Sequence, residues 1–468
     1  MELWTIWYWS ANHLRPAFSR SRTFLWALMV LAGFSIRSDL SGVSSSVRAL
    51  GLKDLAYRGL LRFFHSDAVK LDKLVNCWIV LVMRLFTAVT VNDYLILQLD
   101  GLKVPKEGRR MPSVKCLHQE SDNNSKAEFI MGHSFQCLAI LVRGFAGAMA
   151  AVPLISEIHE GLVWSNRDRR TLMDKAAALV AKARETMKKS LVIVADAYYC
   201  NSKFINQMLK HGCQIISRVR NNAVAYYPAE QATKKKPGRP KKYGKKIRLV
   251  SFFEKPELFT TIKSPVYGET DVEMRYYVIN LLWPPLKRLM LFVLVEHPTR
   301  GRSIFASTDL TLDPTIVIQT YGYRYKIELS FKHSLRIVGT YAYHFWMKAM
   351  DPIRRNSGDQ YLHRKGQDYR AAIRRKMRAY AIYVQMGCIA QGLLLHLCMN
   401  HAGLVWRKFG SWLRTMKVNA APSELVAASA LRTTLPEYIG GSRDTHAFKK
   451  FLLDNMDSRR GEILRLAG

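Results

Sequence analysis

Apolar residues recur at helical spacing through the first part of the chain. Phe24, Leu28 and Leu31 form one stripe, and Leu60, Leu61 and Phe64 another, with Gly51 and Gly59 as breaks. Side chains three and four residues apart share a helix face, so this pattern predicts a helical domain over 1–90, with Ser and Asp in SDLSGVSSSVRALGL capping short helices. A compact DNA-binding module fits that domain, and so does a plain packing domain. The run VNCWIVLVMRLFTAVTV (75–91), interrupted by Arg84, reads as a core helix.

From residue 94 the pattern turns to strands. YLILQLD is followed by the basic, turn-rich GLKVPKEGRRMP, and GHSFQCLAILV and MAAVPLIS read as the next two sheet members. Residues 168–189 carry helical period, with Leu172, Ala176, Leu179 and Val180 on one face. The buried strand LVIVAD, a helix at 202–211 and the strand CQIISRV complete the order. Three strands, a helix, a strand, a helix and a strand is the order of a ribonuclease H-like core, an α/β mixed sheet flanked by helices. It places Asp100 and Asp196 side by side at the sheet centre.

Residues 221–310 interrupt this core. LVSFF, MRYYVIN and LMLFVLVE are rich in β-branched and aromatic residues and predict a β-rich insertion behind a basic loop. Helix then resumes, with Asp313-Pro314 as its start signal. The predicted division is therefore a helical N-terminal domain (1–90), a first core segment (91–220), the insertion (221–310), a second core segment with the Glu328 helix (311–345) and a basic helical C-terminal region (346–468).

Composition narrows what such a core acts on. The 468 residues carry a formal net charge of +35, which implies a polyanionic partner, nucleic acid or an anionic membrane. The membrane reading has one candidate, FLWALMVLAGFSI (24–36), behind Arg15, Arg20 and Arg22. It is shorter than the roughly 20 apolar residues a span needs, and Arg37 and Asp39 follow it where a cleavage site would fall. A buried helix and no membrane contact is the expectation. The seven cysteines contain no C-x-x-C pair, which argues against a zinc knuckle or a disulfide framework and for a cytoplasmic protein with reduced thiols.

Three acids carry the candidate chemistry. Asp100 and Asp196 end apolar runs where an unneutralised carboxylate is costly, and converging carboxylates usually hold a divalent metal. In YGYRYKIELSFKHSLR, Tyr321, Arg324 and Glu328 stand at i, i+3 and i+7, so one helix would project all three from one face. Three carboxylates around two Mg²⁺ ions about 3.5–4 Å apart suit in-line attack on a phosphodiester. Arg324 would meet a phosphate as a bidentate donor, with Tyr321 bonding or stacking nearby. Taken singly, Asp100 and Asp196 could cap turns, and Asp93, Asp309 and Asp313 look like caps.

The pieces LQLDGLKVPKEGR, VIVADAYY, GRPKKYG and STDLTLDPTIVIQTYGYRYKIELSFK occur in that order. In them the chain resembles DDE transposases of the insertion sequence four family over roughly residues 40–420. The resemblance implies cut-and-paste DNA transposition on a ribonuclease H-like fold. It makes Asp100, Asp196 and Glu328 ligands of two Mg²⁺ ions, with Mn²⁺ as substitute, and matches Tyr321 and Arg324 to the family's Y-x-x-R-x-x-x-E pattern. Partners would be the terminal inverted repeats and target DNA, handled by a homodimer in a bacterial cytoplasm. The family pattern has a Lys seven residues after the Glu; this chain has Leu335, with Lys332 (favoured) and Arg336 as alternatives.

Further phosphate contacts are expected from Lys103 and Lys106, and from Arg239, Lys241 and Lys242 in a basic loop that reads as non-specific more than as an AT-hook. The stretch 354–378, nine Lys or Arg against Asp359 and Asp368, should track DNA backbone. His118 and His133 lack metal-ligand spacing and read as core or turn histidines, and Trp283 as a core residue more than a base-stacking one. The alternatives to a transposase are a metal-dependent nuclease of the same fold that no longer transposes, and a non-catalytic DNA-binding derivative.

Overall fold

In a computed structural model of the chain, the structure describes residues 2–119, 127–229, 241–343, 346–410, 416–441, 446–457 and 459. Five helices come first: α1 (Leu3–Asn12), α2 (Ser21–Ile36), α3 (Val43–Ala49), α4 (Asp54–Phe64) and α5 (Leu71–Leu85). Then follow β1 (Tyr94–Pro105), β2 (Phe129–Arg143), β3 (Met149–Ile158), α6 (Leu172–Met187), β4 (Leu191–Ala195), α7 (Ser202–Lys210) and β5 (Cys213–Arg218). Strands β6 (Val224–Pro228), β7 (Tyr243–Arg248), β8 (Glu273–Trp283), β9 (Arg288–His297) and β10 (Gly301–Ser307) come next. Helices α8 (Pro314–Gly322), α9 (Tyr325–His333), α10 (Gln367–Asn400), α11 (Ala402–Phe409), α12 (Glu424–Gly440) and α13 (Ala447–Asn455) end the order. The arrangement is a mixed α/β, ribonuclease H-like fold with helical ends, as the strand–helix order predicts.

The chain forms two compact units built from separated stretches. One gathers Met1–Ala88, Gly101–Arg169 and Ile327–Gly468, and the other Val89–Asp100 and Arg170–Lys326. The first, largely helical unit centres on α10, whose apolar stretch is long enough to cross a membrane by length and composition yet is wholly buried. Two side-chain hydrogen bonds seat this unit's helices on its sheet: Gln385 Nε2 donates to Leu154 O at 3.0 Å, and the Trp78 indole Nε1 to Pro153 O at 2.9 Å. Helix α2, the candidate membrane segment, is buried in the same core from Ala27 to Ile36.

The second unit is a sheet in the order β1-β4-β5-β10-β9-β8-β6-β7. Strands β1, β4 and β5 run parallel and carry near-continuous apolar side chains, the signature of a sheet covered on both faces. The insertion strands extend this sheet, because β10 pairs antiparallel with β5 through Ala306 opposite Ser217. A capping box between Thr171 and Asp174 starts α6, and Asp313 starts α8 by accepting from Thr315 N.

Four expectations need correction. Helix α5 stops at Leu85, and the β-branched TAVTV beyond it is extended. LVSFF lies in a 3-10 segment, Leu249–Glu254, rather than a strand. Strand β1 runs on to Pro105, so Asp100 is inside it and not at its end. Tyr321, Arg324 and Glu328 do not share one helix, because α8 closes at Gly322 and α9 opens at Tyr325.

Candidate active site

Leu95, Ile96, Leu97 and Leu99 of β1 are buried, as are all five residues of β4. Their parallel register pairs Leu99 with Ala195. The next residue after each is an aspartate, so Asp100 and Asp196 emerge next to one another, one strand spacing (about 4.8 Å) apart. The apolar pairing thus fixes where two carboxylates meet.

Asp100 is not left alone. Its Oδ2 accepts a hydrogen bond from Arg324 Nη1 at 2.8 Å, with both side chains under a fifth exposed. Alternate residues of a strand share a face, and Gln98, two positions earlier and fully buried, donates from Nε2 to Tyr323 O at 2.7 Å. Two side chains of β1 therefore hold the joint between α8 and α9. The charge that burial makes costly is answered here by a guanidinium.

Asp196 opens a turn. Its Oδ1 accepts from Tyr198 N at 3.0 Å, and its carbonyl accepts from Tyr199 N at 3.2 Å and Ser217 Oγ at 2.8 Å. The turn role and a ligand role coexist, since a carboxylate has several lone pairs. Tyr321 packs its ring on Phe305 at 4.5 Å between centroids, and its centroid is 5.9 Å from the Arg324 guanidinium carbon. Burial raises the Tyr321 hydroxyl pKa; Arg324 and Arg218 oppose that, and the charge of Asp196 adds to it. Tyr321, Arg324, Asp100 and Asp196 thus belong to one neighbourhood of the second unit.

Glu328 belongs to the other unit, in the first turn of α9, with its side chain exposed. Ile327 packs on Ala139, Ala151 and Phe331 behind it. Lys332, one turn on, is exposed as well. Leu335 and Arg336 lie in a π-turn, Ser334–Val338. Residues in a π-turn advance less around the axis than in an α-helix, which brings Arg336 back toward the face of Glu328 and Lys332. Among the described residues no three His, Cys, Asp or Glu side chains gather closely enough to hold a metal ion. The second unit supplies a two-carboxylate, all-oxygen pair, a donor set that fits a hard divalent cation.

The other expected phosphate contacts divide. Lys103 is exposed, with Nζ donating to His118 O at 2.6 Å, and Lys241 is exposed. Lys242 is exposed and donates to Lys287 O. Arg239 and the GRP tripeptide lie outside the described residues. Lys106 is a correction: it is 3% exposed, its ammonium donates to Tyr341 O, and burial pulls its pKa down to about 8. A lysine held this way does not reach a phosphate. In the basic stretch, Arg354, Arg355, Arg364, Lys365, Arg374 and Arg375 are exposed, whereas Arg378 turns inward to Val69 O at 2.6 Å.

His133 is buried and bonded to Pro112 O at 2.9 Å, and Trp283 is buried, both as core residues. The sequence reading missed Gln98 and a second feature, Tyr267. Tyr267 sits at φ +58° in the insertion, 5.3 Å from the Tyr325 ring and 4.2 Å from the Arg300 guanidinium. The P-V-Y-G turn signal around it was the available clue.

An aspartate of β1 beside one that directly follows the parallel strand β4, on a ribonuclease H-like sheet, is the arrangement of a nuclease-type protein. Residues 13–278 match the family described as DDE superfamily endonuclease, and the chain belongs to that family. The match includes Asp100 and Asp196 and ends before Glu328. No curated protein matches the chain. Membership implies a DNA substrate, and DDE endonucleases generally use divalent metals.

Proposed function

We propose that the chain is a cut-and-paste DNA transposase of the insertion sequence four type, acting in the bacterial cytoplasm as a homodimer on paired element ends. The observation that carries this is the Leu99–Ala195 register, which sets Asp100 beside Asp196 with Arg324 bonded to the first. Asp100, Asp196 and Glu328 would hold two Mg²⁺ ions, with Mn²⁺ able to replace them. Bound there, the ions would supply charge stabilisation and an activated oxygen nucleophile.

The chain's own groups do the rest. Arg324, released from Asp100, offers a planar two-donor fork to the scissile phosphate. Tyr321, packed on Phe305, keeps the guanidinium from swinging away. Lys332 and Arg336 stand in for the lysine that Leu335 replaces. Lys103, Lys241 and the exposed arginines of 354–375 follow the backbone, which makes binding fall steeply with salt.

The test uses a plasmid carrying the DNA that flanks the coding sequence, with Mg²⁺ and with Asp196→Ala as control. The wild type should nick at the element ends. The variant should bind as well but cut at least about 1,000-fold more slowly, a loss of about 4 kcal/mol of transition-state stabilisation. Equal cutting by both proteins sinks the assignment. Leu335 favours a second reading, a nuclease that cuts without strand transfer, and the same reaction separates the two by the presence or absence of joined products. Binding with no cutting by the wild type would leave the non-catalytic derivative.

A further inference from the structure

A cation is buried where the Glu328 helix ends. Arg37 follows α2 directly and is 3% exposed. Its Nε donates to Val338 O at 2.8 Å, and Nη2 donates to Gly339 O at 2.8 Å and again to Val338 O. Nη1 reaches Gly42 O and Ser45 Oγ, both at 3.0 Å, and Tyr383 Oη at 3.3 Å. The guanidinium carbon also lies 4.3 Å from the centroid of the Phe34 ring. All of these hydrogen-bond partners are uncharged.

That choice of partners is informative. A guanidinium has five N–H donors in a rigid fork, and here carbonyl and hydroxyl oxygens meet them. Two of those carbonyls, Val338 and Gly339, close the π-turn that continues α9, where the helix presents its negative end. Gly339 sits at φ +69°, and a Cβ there would run into the Arg37 guanidinium. The amides of Gly339 and Thr340 both return to Ser334 O. Burying a charge is a poor route to stability when an apolar residue could fill the same space. A fork that meets one set of carbonyls in one orientation instead specifies position.

The rest of the helix is fixed in the same way. Gln391, fully buried in α10, donates to Ser330 O at 3.0 Å and accepts from Ser334 Oγ. His333 Nδ1 lies 2.7 Å from Glu424 Oε1. The buried side of α9 is thus fastened by directional bonds, while Glu328, Lys332 and Arg336 face solvent.

We propose that Arg37 is a positioning residue for the reaction. It clamps the C-terminal end of the Glu328 helix and so sets the rotation and axial place of that carboxylate. This rests on the reading of Glu328 as a metal ligand.

The experiment uses the full chain with Arg37→Met, Arg37→Lys and Tyr383→Phe. Tyr383→Phe removes one hydroxyl that bonds both Arg37 and Gly339 O. Amide hydrogen exchange at Gly339 and Thr340 reads the clamp without any catalysis. It should quicken about tenfold or more in Arg37→Met, and less in the other two, as local opening becomes easier. DNA binding should stay at the wild-type level. Half-maximal cleavage should need about tenfold more Mg²⁺, and turnover should fall about 10- to 100-fold.

Unchanged exchange overturns the proposal, and so does faster exchange with wild-type Mg²⁺ dependence and turnover. Should Arg37→Met fail to fold, Tyr383→Phe decides by the same two readings. If the wild type itself cuts no DNA, exchange still decides the clamp, and the failure belongs to the transposase reading.

Discussion

The two aspartates and the glutamate are held in opposite ways. Asp100 and Asp196 are placed by strands that are apolar almost throughout, in a register that side-chain packing on both faces enforces. Glu328 rides on a helix fastened underneath by Arg37, Gln391, Ser330 and Ser334. Hydrophobic burial is strong and close-packed, so the first arrangement is most sensitive to loss of volume. Hydrogen bonds are weaker in net terms and directional, so the second tolerates loss of volume but not of geometry. The two aspartates are thus placed by packing, and the glutamate by polar groups.

Truncation should break that comparison most visibly. Ile193→Ala, at a fully buried position of β4, should lower unfolding free energy by about 2–5 kcal/mol, the range for large core deletions. Gln391→Leu keeps the bulk and loses the bonds to Ser330 and Ser334, and should lower it by about 1–3 kcal/mol. Urea unfolding of both variants checks the ranking. A larger loss in Gln391→Leu than in Ile193→Ala would mean that polar fastening, not burial, dominates both regions.

A pH experiment follows, at smaller amplitude. His396 lies five residues beyond Gln391 in α10, and burial pulls its pKa down to about 4, with His401 nearby adding to the effect. The unfolded chain takes up this proton near the ordinary value of about 6.5. The folded form is therefore at full advantage above pH 6.5 and loses stability as pH falls from 6.5 to about 4. The loss from this group is at most about 3 kcal/mol. Thermal melting at pH 7, 5.5 and 4.5 should show a shallower acid slope in His396→Gln than in the wild type. Equal slopes would remove His396 from the account.

What could be read in advance follows the same division. The apolar runs at 94–99, broken by Gln98, and at 191–195 have few interpretations, and pairing them in parallel register puts Asp100 beside Asp196. The joint at Tyr323 and Arg324 was not legible, because Y-x-x-R-x-x-x-E has perfect helical period. The break comes from tertiary anchors, Gln98 on the Tyr323 carbonyl and Asp100 on Arg324. Arg37 was hidden for a similar reason: its principal partner, Val338, is 301 residues away. Lys106 misled because PKEGR reads as an exposed basic turn, whereas the long β1 carries the lysine into contact with Tyr341. Local pattern reports burial well and says little about which buried polar group meets which.

The smallest stability change should come from Gln98→Leu, and it is the sharpest separation of packing from positioning. Gln98 is fully buried; its Nε2 holds the Tyr323 carbonyl, while its Oε1 accepts no hydrogen bond among the described residues. Leucine of similar volume removes one bond and one unsatisfied acceptor together. These terms oppose one another, so the unfolding free energy should change by less than about 1 kcal/mol. Arg324 would nevertheless lose the neighbour that fixes its backbone, while its bond to Asp100 remains. If Arg324 is the phosphate donor proposed above, cleavage should fall about tenfold with DNA binding unchanged, because misplacing such a donor costs rate before it costs affinity. Near-wild-type stability with wild-type cleavage would show that the Asp100–Arg324 pair holds the joint by itself, and that Gln98 is only a filler of the strand.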